Sequence, residues 1–386
     1  MLIAACGENK SKKTSFSTDD YLHVVDLKNV SEIPLSAVFA SVSPIVLETT
    51  KNSLIGDISK VIATPEYLIV FDKGIAKALF LFKKDGTFVH KFGRIGGGPG
   101  EYTNIYDFCY DKATCTIYML CDNGRVNLYD IHTGSFLKSI QLQNHNSFSA
   151  DIYYHGGELY TTSRNFANKN ERYLLSKRNQ KTGEIEKSWF DFETYSKNIE
   201  NIGLNPFLFG DDKSFKFNTS LMDGIMQVEN GKITPFLTFN PEFLINTDDL
   251  KVFDSKAGNI NVHMQGLSLR KLFGVFEYCE HKDLILMRFF SGPQIILYNQ
   301  KTKESKSMPA LKDALMFKDD ILSFPGFTAQ DDNGVYLYKG SNLTASKIKE
   351  YLENDLITEN FKSSAIELSN LEEDTNPFLF YYEFKD

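Results

Sequence analysis

Apolar and polar positions alternate along most of this chain, which is the pattern of half-buried β-strands. Four segments share one plan, in which an alternating strand, a polar turn ending in glycine and a second alternating strand follow each other. They are LFLFKKDGTFVHKFG (79–93), VNLYDIHTGSFLKSI (126–140), LLSKRNQKTGEIEKSW (174–189) and GIMQVENGKITPFLTF (224–239). Because glycine supplies the positive φ of a tight turn, each segment predicts a β-hairpin.

These hairpins recur at a nearly constant interval. The glycines of the four turns are separated by 48, 49 and 48 residues, and they are Gly86, Gly134, Gly183 and Gly231. A fifth copy, QIILYNQKTKESKSM (294–308), has Lys303 in the place of the glycine. Two apolar strands precede each hairpin, and four strands in a repeat of roughly 40–50 residues are typical of a propeller blade.

We therefore predict an all-β fold, a six-bladed β-propeller of four-stranded antiparallel blades over residues 43–386, with strands a to d named from the axis outward. The first five blades are expected at residues 55–92, 105–142, 148–190, 203–240 and 260–308. The sixth combines 324–386 with SPIVLETT (43–50), which we expect to pair with the C-terminal strand, because an open ring would leave two bare strand edges. One helix is predicted at 344–356, between strands b and c of the last blade.

The stretch KFGRIGGGPGEY (91–102) holds five glycines and could suggest a phosphate-binding loop. That motif requires Lys-Ser or Lys-Thr after the glycines and then a helix, so that backbone amides converge on the phosphate. Here Glu101 and Tyr102 follow, and the next element is a predicted strand. We interpret the stretch as the corner that carries the chain from the rim of blade 1 to the axis of blade 2.

Residues 92–130 resemble an NHL-type propeller repeat, with matching residues at Gly93, Gly96, Gly100, Tyr102, Asp111, Asp122, Arg125 and Val126. Over 43–386, the chain resembles the six-bladed propeller lipoproteins of gut Gram-negative anaerobes. Those carry GxGPGEY in one loop, begin near an LET strand and end near Asn-Pro and an apolar strand, as Leu47-Glu48-Thr49 and Asn376-Pro377 do here. The resemblance implies the propeller fold and a lipoprotein localisation, but no agreed activity.

The first residues contain Ile3-Ala4-Ala5-Cys6, which resembles the lipobox of bacterial lipoproteins. We interpret residues 1–22 as the remnant of a lipoprotein signal and a polar tether, with lipidation at Cys6 and anchoring to the outer membrane of the cell envelope. The apolar segment is short and no basic residues precede it, so we expect the natural start to lie upstream. A frayed apolar N-terminus is the alternative.

Charge and motifs exclude several classes of function. The net charge is −8 and no basic stripe follows any segment, so we expect no nucleic-acid partner. The seven histidines are scattered without an HxH or HExxH motif, and CxxC and GxSxG are absent from the sequence. We therefore expect a monomer without a cofactor, and leave open only calcium held by Asp, Asn and Glu side chains at the axis.

The face that carries the d–a and b–c connections is the predicted binding surface, because long connections in a compact fold are often functional. The unusual segments on it are 93–102, 163–172, 241–262, 288–293 and 341–376. The candidate ligand-binding residues are Arg94, Glu101, Tyr102, Asp122, Arg125, Arg164 and Arg288. Their guanidinium groups suit carboxylates or vicinal hydroxyls, although Asp122 and Arg125 could instead form an intrablade polar pair, and Glu101 could hydrogen-bond to loop amides.

Two functions remain open from the sequence. The first is a membrane-tethered, non-catalytic propeller that binds a glycan, a peptide or a protein partner. The alternative is a metal-dependent propeller hydrolase or lyase, similar to a lactonase, with an acidic site on the axis.

The lipid anchor is directly testable with Cys6→Ser in the full-length precursor, expressed in a Gram-negative host. Without the acceptor thiol no lipid can be attached, so the variant should move from the membrane fraction to the soluble fraction on fractionation. Retention of the Ser variant in the membrane fraction would exclude lipid anchoring at this position.

Overall fold

The computed structural model of this protein describes residues 16–143, 151–163, 173–191, 206–211, 213–219, 222–244, 271–291, 295–308, 311–318, 322–323, 326–340 and 343–386. Six antiparallel four-stranded sheets form a ring, so the predicted six-bladed β-propeller is confirmed. Two strands precede blade 1, namely β1 (His23–Val25) and β2 (Phe39–Val46).

The first three blades follow in chain order. Blade 1 contains β3 (Lys60–Ala63), β4 (Tyr67–Asp72), β5 (Ala78–Lys83) and β6 (Phe88–Phe92). The connection to the next blade contains the paired short strands β7 (Arg94–Ile95) and β8 (Glu101–Tyr102). Blade 2 contains β9 (Ile105–Asp111), β10 (Thr116–Cys121), β11 (Arg125–Asp130) and β12 (Phe136–Gln141). Blade 3 contains β13 (Ile152–His155), β14 (Glu158–Thr162), β15 (Tyr173–Arg178) and β16 (Ile185–Asp191).

The other three blades carry additional elements. Blade 4 contains β17 (Phe207–Gly210), β18 (Ser214–Phe217), β19 (Gly224–Glu229) and β20 (Lys232–Phe239). Blade 5 contains β21 (Phe273–His281), β22 (Leu284–Ser291), β23 (Ile295–Asn299) and β24 (Ser305–Met308). The pair β25 (Leu311–Lys312) and β26 (Leu322–Ser323) follows. Blade 6 contains β27 (Phe327–Gln330), β28 (Gly334–Leu337), β29 (Phe378–Phe384) and the early strand β2.

Helical structure is concentrated in the b–c connection of blade 6. It contains α1 (Ala345–Glu353), which begins within the segment predicted to be helical, and α2 (Lys362–Ser369), which was not predicted. The Thr344 side chain caps α1 by accepting a hydrogen bond from the Lys347 amide. Short 3-10 helices lie at Thr18–Asp20, Leu35–Ala37, Asp122–Gly124 and Pro241–Phe243.

The c–d turns explain the period of the sequence. The four turn glycines have positive φ, between 68° and 90°. Lys303 has a φ of 63° in the fifth copy, so it occupies the same backbone position as the glycines despite its side chain. The hairpin alignment therefore holds across five blades.

The core lies between adjacent blades. All six residues of β10 are buried, and β4 is buried at every position after Tyr67. Rings from blades 1 and 2 meet in this layer, with Phe71 and Phe108 in an edge-to-face contact at 5.8 Å. Inner strands are covered on both faces by neighbouring blades, so their sequences are continuous apolar runs. Outer strands instead alternate between apolar and polar residues.

The ring closes where β2 pairs antiparallel with β29. The register runs from Phe39 opposite Phe384 to Val46 opposite Phe378. The pairing matches the prediction, but the strand begins four residues before the predicted segment 43–50 and ends at Val46. The chain leaves the sheet after Val46, because the residues that follow form hydrogen bonds with Asn376.

Asn376 holds the residues that follow β2. Its amide nitrogen donates to the carbonyls of Glu48 (3.0 Å) and Ser53 (2.6 Å), and its side-chain oxygen accepts from the Ile55 amide (2.9 Å). Its backbone amide donates to the Thr49 hydroxyl at 2.8 Å. The Leu-Glu-Thr and Asn-Pro segments therefore meet in space and fasten the start of blade 1 to blade 6.

Residues 16–38, which we call the N-terminal strap, lie along the outer edges of blades 4 and 5. β1 pairs parallel with β20, and further on Val30 forms a parallel bridge with Ser307. Tyr21, within the segment 1–22 predicted to be a tether, is buried against blade 4. The strap covers backbone groups that an edge strand would otherwise expose.

His23 of the strap is buried and neutral. Its Nδ1 lies 3.1 Å from the Tyr298 hydroxyl and 2.8 Å from Lys303 Nζ. An ammonium only donates hydrogen bonds, so Nδ1 accepts and carries no proton. Burial first, and then the charges of Lys303 and Lys216, lower the pKa of His23 to about 4.

The low pKa of His23 predicts acid sensitivity. Between about pH 6.5 and pH 4, the His23 imidazole binds a proton in the unfolded chain but not in the folded chain. The unfolding free energy should therefore fall as the pH falls. From pH 7.5 to pH 5, the unfolding free energy in urea should drop by about 1–2 kcal/mol more in the natural chain than in His23→Gln. His132→Gln, at an exposed position, is the control and should keep the natural slope. Equal slopes in all three proteins would contradict the prediction.

Candidate functional site

The glycine stretch forms the predicted corner between β6 and β9. Gly93 and Gly100 have φ values of 59° and 71°. A Cβ on Gly93 would lie 2.6 Å from the Tyr129 hydroxyl oxygen and 2.8 Å from the Gly100 carbonyl oxygen. The Tyr129 hydroxyl donates to that carbonyl at 2.5 Å. Close backbone packing therefore explains both glycines.

Glu101 is used within its own loop. One carboxylate oxygen accepts from the Gly98 amide at 2.7 Å, and the other accepts from Arg94 Nε at 2.6 Å. These two hydrogen bonds, in that order, lower the pKa of Glu101. The loop-amide alternative therefore describes Glu101, while the Arg94 side chain stays 80% exposed.

Tyr102 is a core residue. It is 1% exposed and packs between blades 1 and 2, and burial raises the pKa of its hydroxyl to about 12. The ring therefore contributes to the packing between the two blades, and its assignment to the binding surface stays a prediction.

Asp122 and Arg125 both secure the glycine loop. Asp122 accepts hydrogen bonds from the amides of Thr103 (3.1 Å) and Asn104 (2.9 Å) and from the Thr103 hydroxyl. Burial disfavours its charge, but these hydrogen bonds prevail and lower its pKa. Arg125 Nη2 donates to the Glu101 carbonyl at 2.8 Å. Asp122 and Arg125 therefore bond to atoms of the loop, and not to each other as in the intrablade pair considered from the sequence.

Asp72 plays the same part in blade 1. This buried carboxylate, at the end of strand b, accepts from the amides of Gly56 (2.7 Å), Asp57 (3.1 Å) and Ile75 (2.8 Å). In blades 1 and 2, an aspartate at the end of strand b or directly after it therefore fixes the loop entering strand a. In blade 1 it also fixes the neighbouring b–c loop.

The remaining candidates lie apart from the glycine loop. Arg288 belongs to β22, where its Nη2 lies 2.8 Å from Glu277 Oε1 and its guanidinium lies 4.3 Å from the Phe276 ring. Arg164 and Cys6 lie outside the described residues, as do most of the loop 163–172 and of the connection 241–262.

A large opening on the loop face lies at the junction of blades 6 and 1. It is a cleft of about 930 Å³, which we call the insertion cleft. One wall is formed by the d–a loop at Gly56 and Asp57 and by the b–c loop at Gly74 and Ile75. The helical insertion of blade 6 forms the opposite wall with Tyr338, Lys339, Gly340, Leu343, Thr344, Ala345, Ser346, Lys349, Ser369, Leu371, Glu372, Glu373, Thr375, Asn376, Pro377, Phe378 and Phe380.

Hydrogen bonds and ion pairs fix the walls of the cleft. Tyr338 donates its hydroxyl to Asp57 Oδ1 at 2.9 Å across the blade junction. Below them, the buried Lys339 Nζ lies 2.8 Å from Asp313 Oδ2, and the Tyr382 hydroxyl donates to the same oxygen at 2.5 Å. The cleft is therefore largely preformed.

Sequence reasoning named the insertion 341–376 but missed the residues opposite it. Gly74 and Ile75 occupy a short, ordinary b–c loop, and only the ring closure brings them to the insertion. Gly74 and Ile75 could have been identified from the unusual length of the insertion, because blades 6 and 1 were predicted to be neighbours in the ring.

Two further properties concern only the part of the chain that the structure describes. There, no three His, Cys, Asp or Glu side chains are close enough to share a metal ion. Also within that part, neither helix has the length and apolar character needed to cross a membrane.

The corner geometry predicts a large effect at Gly93 and a small one at Gly97. Gly93→Ala forces a side chain into positive φ and against the Tyr129 hydroxyl, and should cost at least about 2 kcal/mol of unfolding free energy in urea. Gly97→Ala is the control, because a Cβ there meets open space, and should change the value by less than about 0.5 kcal/mol. Equal effects at the two sites would contradict this account of the corner.

Comparison with known proteins supports the fold. None of the curated proteins matches the sequence. A solved protein of Bacteroides fragilis NCTC 9343, inferred to be exported, is 18% identical with a TM-score of 0.72, over 94% of this chain and 100% of that chain. BamB of Moraxella catarrhalis is 11% identical with a TM-score of 0.44, over 78% of this chain and 86% of that chain. PorZ of Porphyromonas gingivalis is 10% identical with a TM-score of 0.41, over 78% of this chain and 37% of that chain. Residues 22–383 match the family model described as a domain of unknown function, DUF4934, and the chain belongs to that family.

Proposed function

We propose that this protein is a monomeric, non-catalytic propeller that binds a glycan, peptide or protein partner in the insertion cleft. The observation that carries the proposal is the cleft itself, about 930 Å³ in volume, on the face of the d–a and b–c connections. Its volume falls in the range of roughly 300–1,000 Å³ that small-ligand sites occupy.

The mouth of the cleft exposes an apolar side chain that a partner would cover. Ile75 is 69% exposed, although the loop that carries it is held by the buried Asp72. An exposed aliphatic residue on a fixed loop offers apolar surface without an ordering cost on binding. Ile95 of the glycine loop is similarly exposed, so the volume of the cleft favours it as the site, together with the use of Glu101 by the backbone of its own loop.

For the cellular location, we propose the cell envelope, with the propeller outside the cytoplasm and a lipid on Cys6. The lipobox-like Ile3-Ala4-Ala5-Cys6 supports this, and so does the likeness to a Bacteroides protein inferred to be exported. The alternative of a metal-dependent hydrolase or lyase has no specific observation in its favour among the described residues.

Methyl NMR would locate binding directly. Ile75 and Ile95 are matched reporters, 69% and 64% exposed, one in the cleft and one in the glycine loop. Pools of synthetic hexapeptides and of oligosaccharides should shift the Ile75 δ1-methyl signal of the isoleucine-labelled full chain, and leave Ile95 unchanged. Ile75→Val and Ile95→Val would assign the two signals.

Two glycine substitutions test the same point without NMR. A side chain at Gly74 or at Gly97 meets open space, so Gly74→Trp and Gly97→Trp should both fold. Gly74→Trp should abolish binding of the best-binding pool member, measured by calorimetry, whereas Gly97→Trp should leave it intact. Loss of binding only in Gly97→Trp, or a shift confined to Ile95, would move the site to the glycine loop and refute the proposal.

A further inference from the structure

We infer that the insertion cleft takes a peptide segment in which basic and aliphatic side chains alternate. This inference rests on the proposed function and specifies the partner of the same cleft. Three properties of the walls carry it, namely an excess of carboxylates, an exposed aliphatic side chain at the mouth, and glycines that leave room for a main chain.

Carboxylates outnumber available ammonium groups around the cleft. Asp57, Glu372 and Glu373 are exposed at its rim. Neither Glu372 nor Glu373 forms an ion pair with another described residue, and the charge of Lys339 is balanced by the buried Asp313. Lys349 is the remaining basic residue of the lining. The cleft is therefore net negative, which attracts and orients a cationic partner.

The most exposed large apolar side chain of the lining is aliphatic. Ile75 is exposed at the mouth, and Leu371 is half-buried beside the two glutamates. Among the rings of the lining, Phe378 and Phe380 are buried, and the half-buried Tyr338 is held to Asp57 through its hydroxyl. Leucine-like side chains would bury their apolar surface against this wall.

Glycines on both walls give a peptide backbone room to approach. Gly74 stands on the blade 1 wall and Gly340 on the insertion wall, and a Cβ at either position would meet open space. Positions without a side chain allow the main chain of an extended ligand to lie close to the wall. Successive side chains of an extended segment point in opposite directions, so aliphatic and charged side chains can meet different parts of the lining.

Three labelled peptides test the inference by fluorescence anisotropy with the full chain. The probes are Lys-Leu-Lys-Leu-Lys, Gln-Leu-Gln-Leu-Gln and Glu-Leu-Glu-Leu-Glu, each carrying fluorescein on a glycine linker. The lysine peptide should bind at least tenfold more tightly than either of the others, and Gly74→Trp should abolish its binding. Comparable affinity for the glutamate peptide would overturn the inference.

Matched charge variants show whether the attraction is local. Glu372→Gln with Glu373→Gln should weaken binding of the lysine peptide about three- to tenfold, with a smaller loss at high salt. Glu66→Gln with Glu184→Gln removes the same charge from the a–b and c–d turns of the opposite face, and should leave the affinity unchanged. Equal losses in the two double variants would show only a net-charge effect and refute the inference.

Failure of the peptide inference can be distinguished from failure of the proposed function. If the Ile75 methyl responds to the oligosaccharide pool and the lysine peptide does not bind, the peptide inference is wrong and the cleft remains the site. If Ile75 responds to no pool, both are wrong. If its signal shifts with protein concentration alone, a second copy of this chain occupies the cleft and the inference is overturned.

Discussion

The pairing of β2 with β29 is the contact on which the loop face depends. It joins residues at opposite ends of the chain and supplies blade 6 with its outer strand. Through Asn376, the same junction holds the turn that leads into blade 1. Both walls of the insertion cleft therefore owe their relative position to a connection made by the last strand of the chain, and the site is completed only when the ring is closed.

Much of the fold could be predicted because the blades repeat a physical requirement. Every c–d turn needs positive φ at one position, and the glycines that satisfy it mark the period, with Lys303 as the exception that adopts the same backbone. The N-terminal strap could not be predicted in this way. β1 has three residues and lies parallel to an edge strand, and so short a segment has no periodicity from which pairing could be inferred.

The candidate site was harder to predict, because residue type does not reveal which partner satisfies a polar group. Asp122 and Arg125 stand in conspicuous positions, but their hydrogen bonds go to backbone atoms of the preceding loop. Asp72 shows that this is a recurring way to fix the corner of a blade. Ile75 carries no chemical signal in the sequence. It becomes noteworthy only because the helical insertion of another blade lies opposite it.

The N-terminal strap has a mechanical consequence. In a chain held at its N-terminus, a pulling force loads the packing of Tyr21 against blade 4 before the three paired residues of β1 and the bridge between Val30 and Ser307. Three side chains buried in the core beside blades 5 and 6 follow before the longer β2, namely Ile33, Leu35 and Val38. The contacts of the strap therefore precede the ring closure in the path of a force applied at the N-terminus.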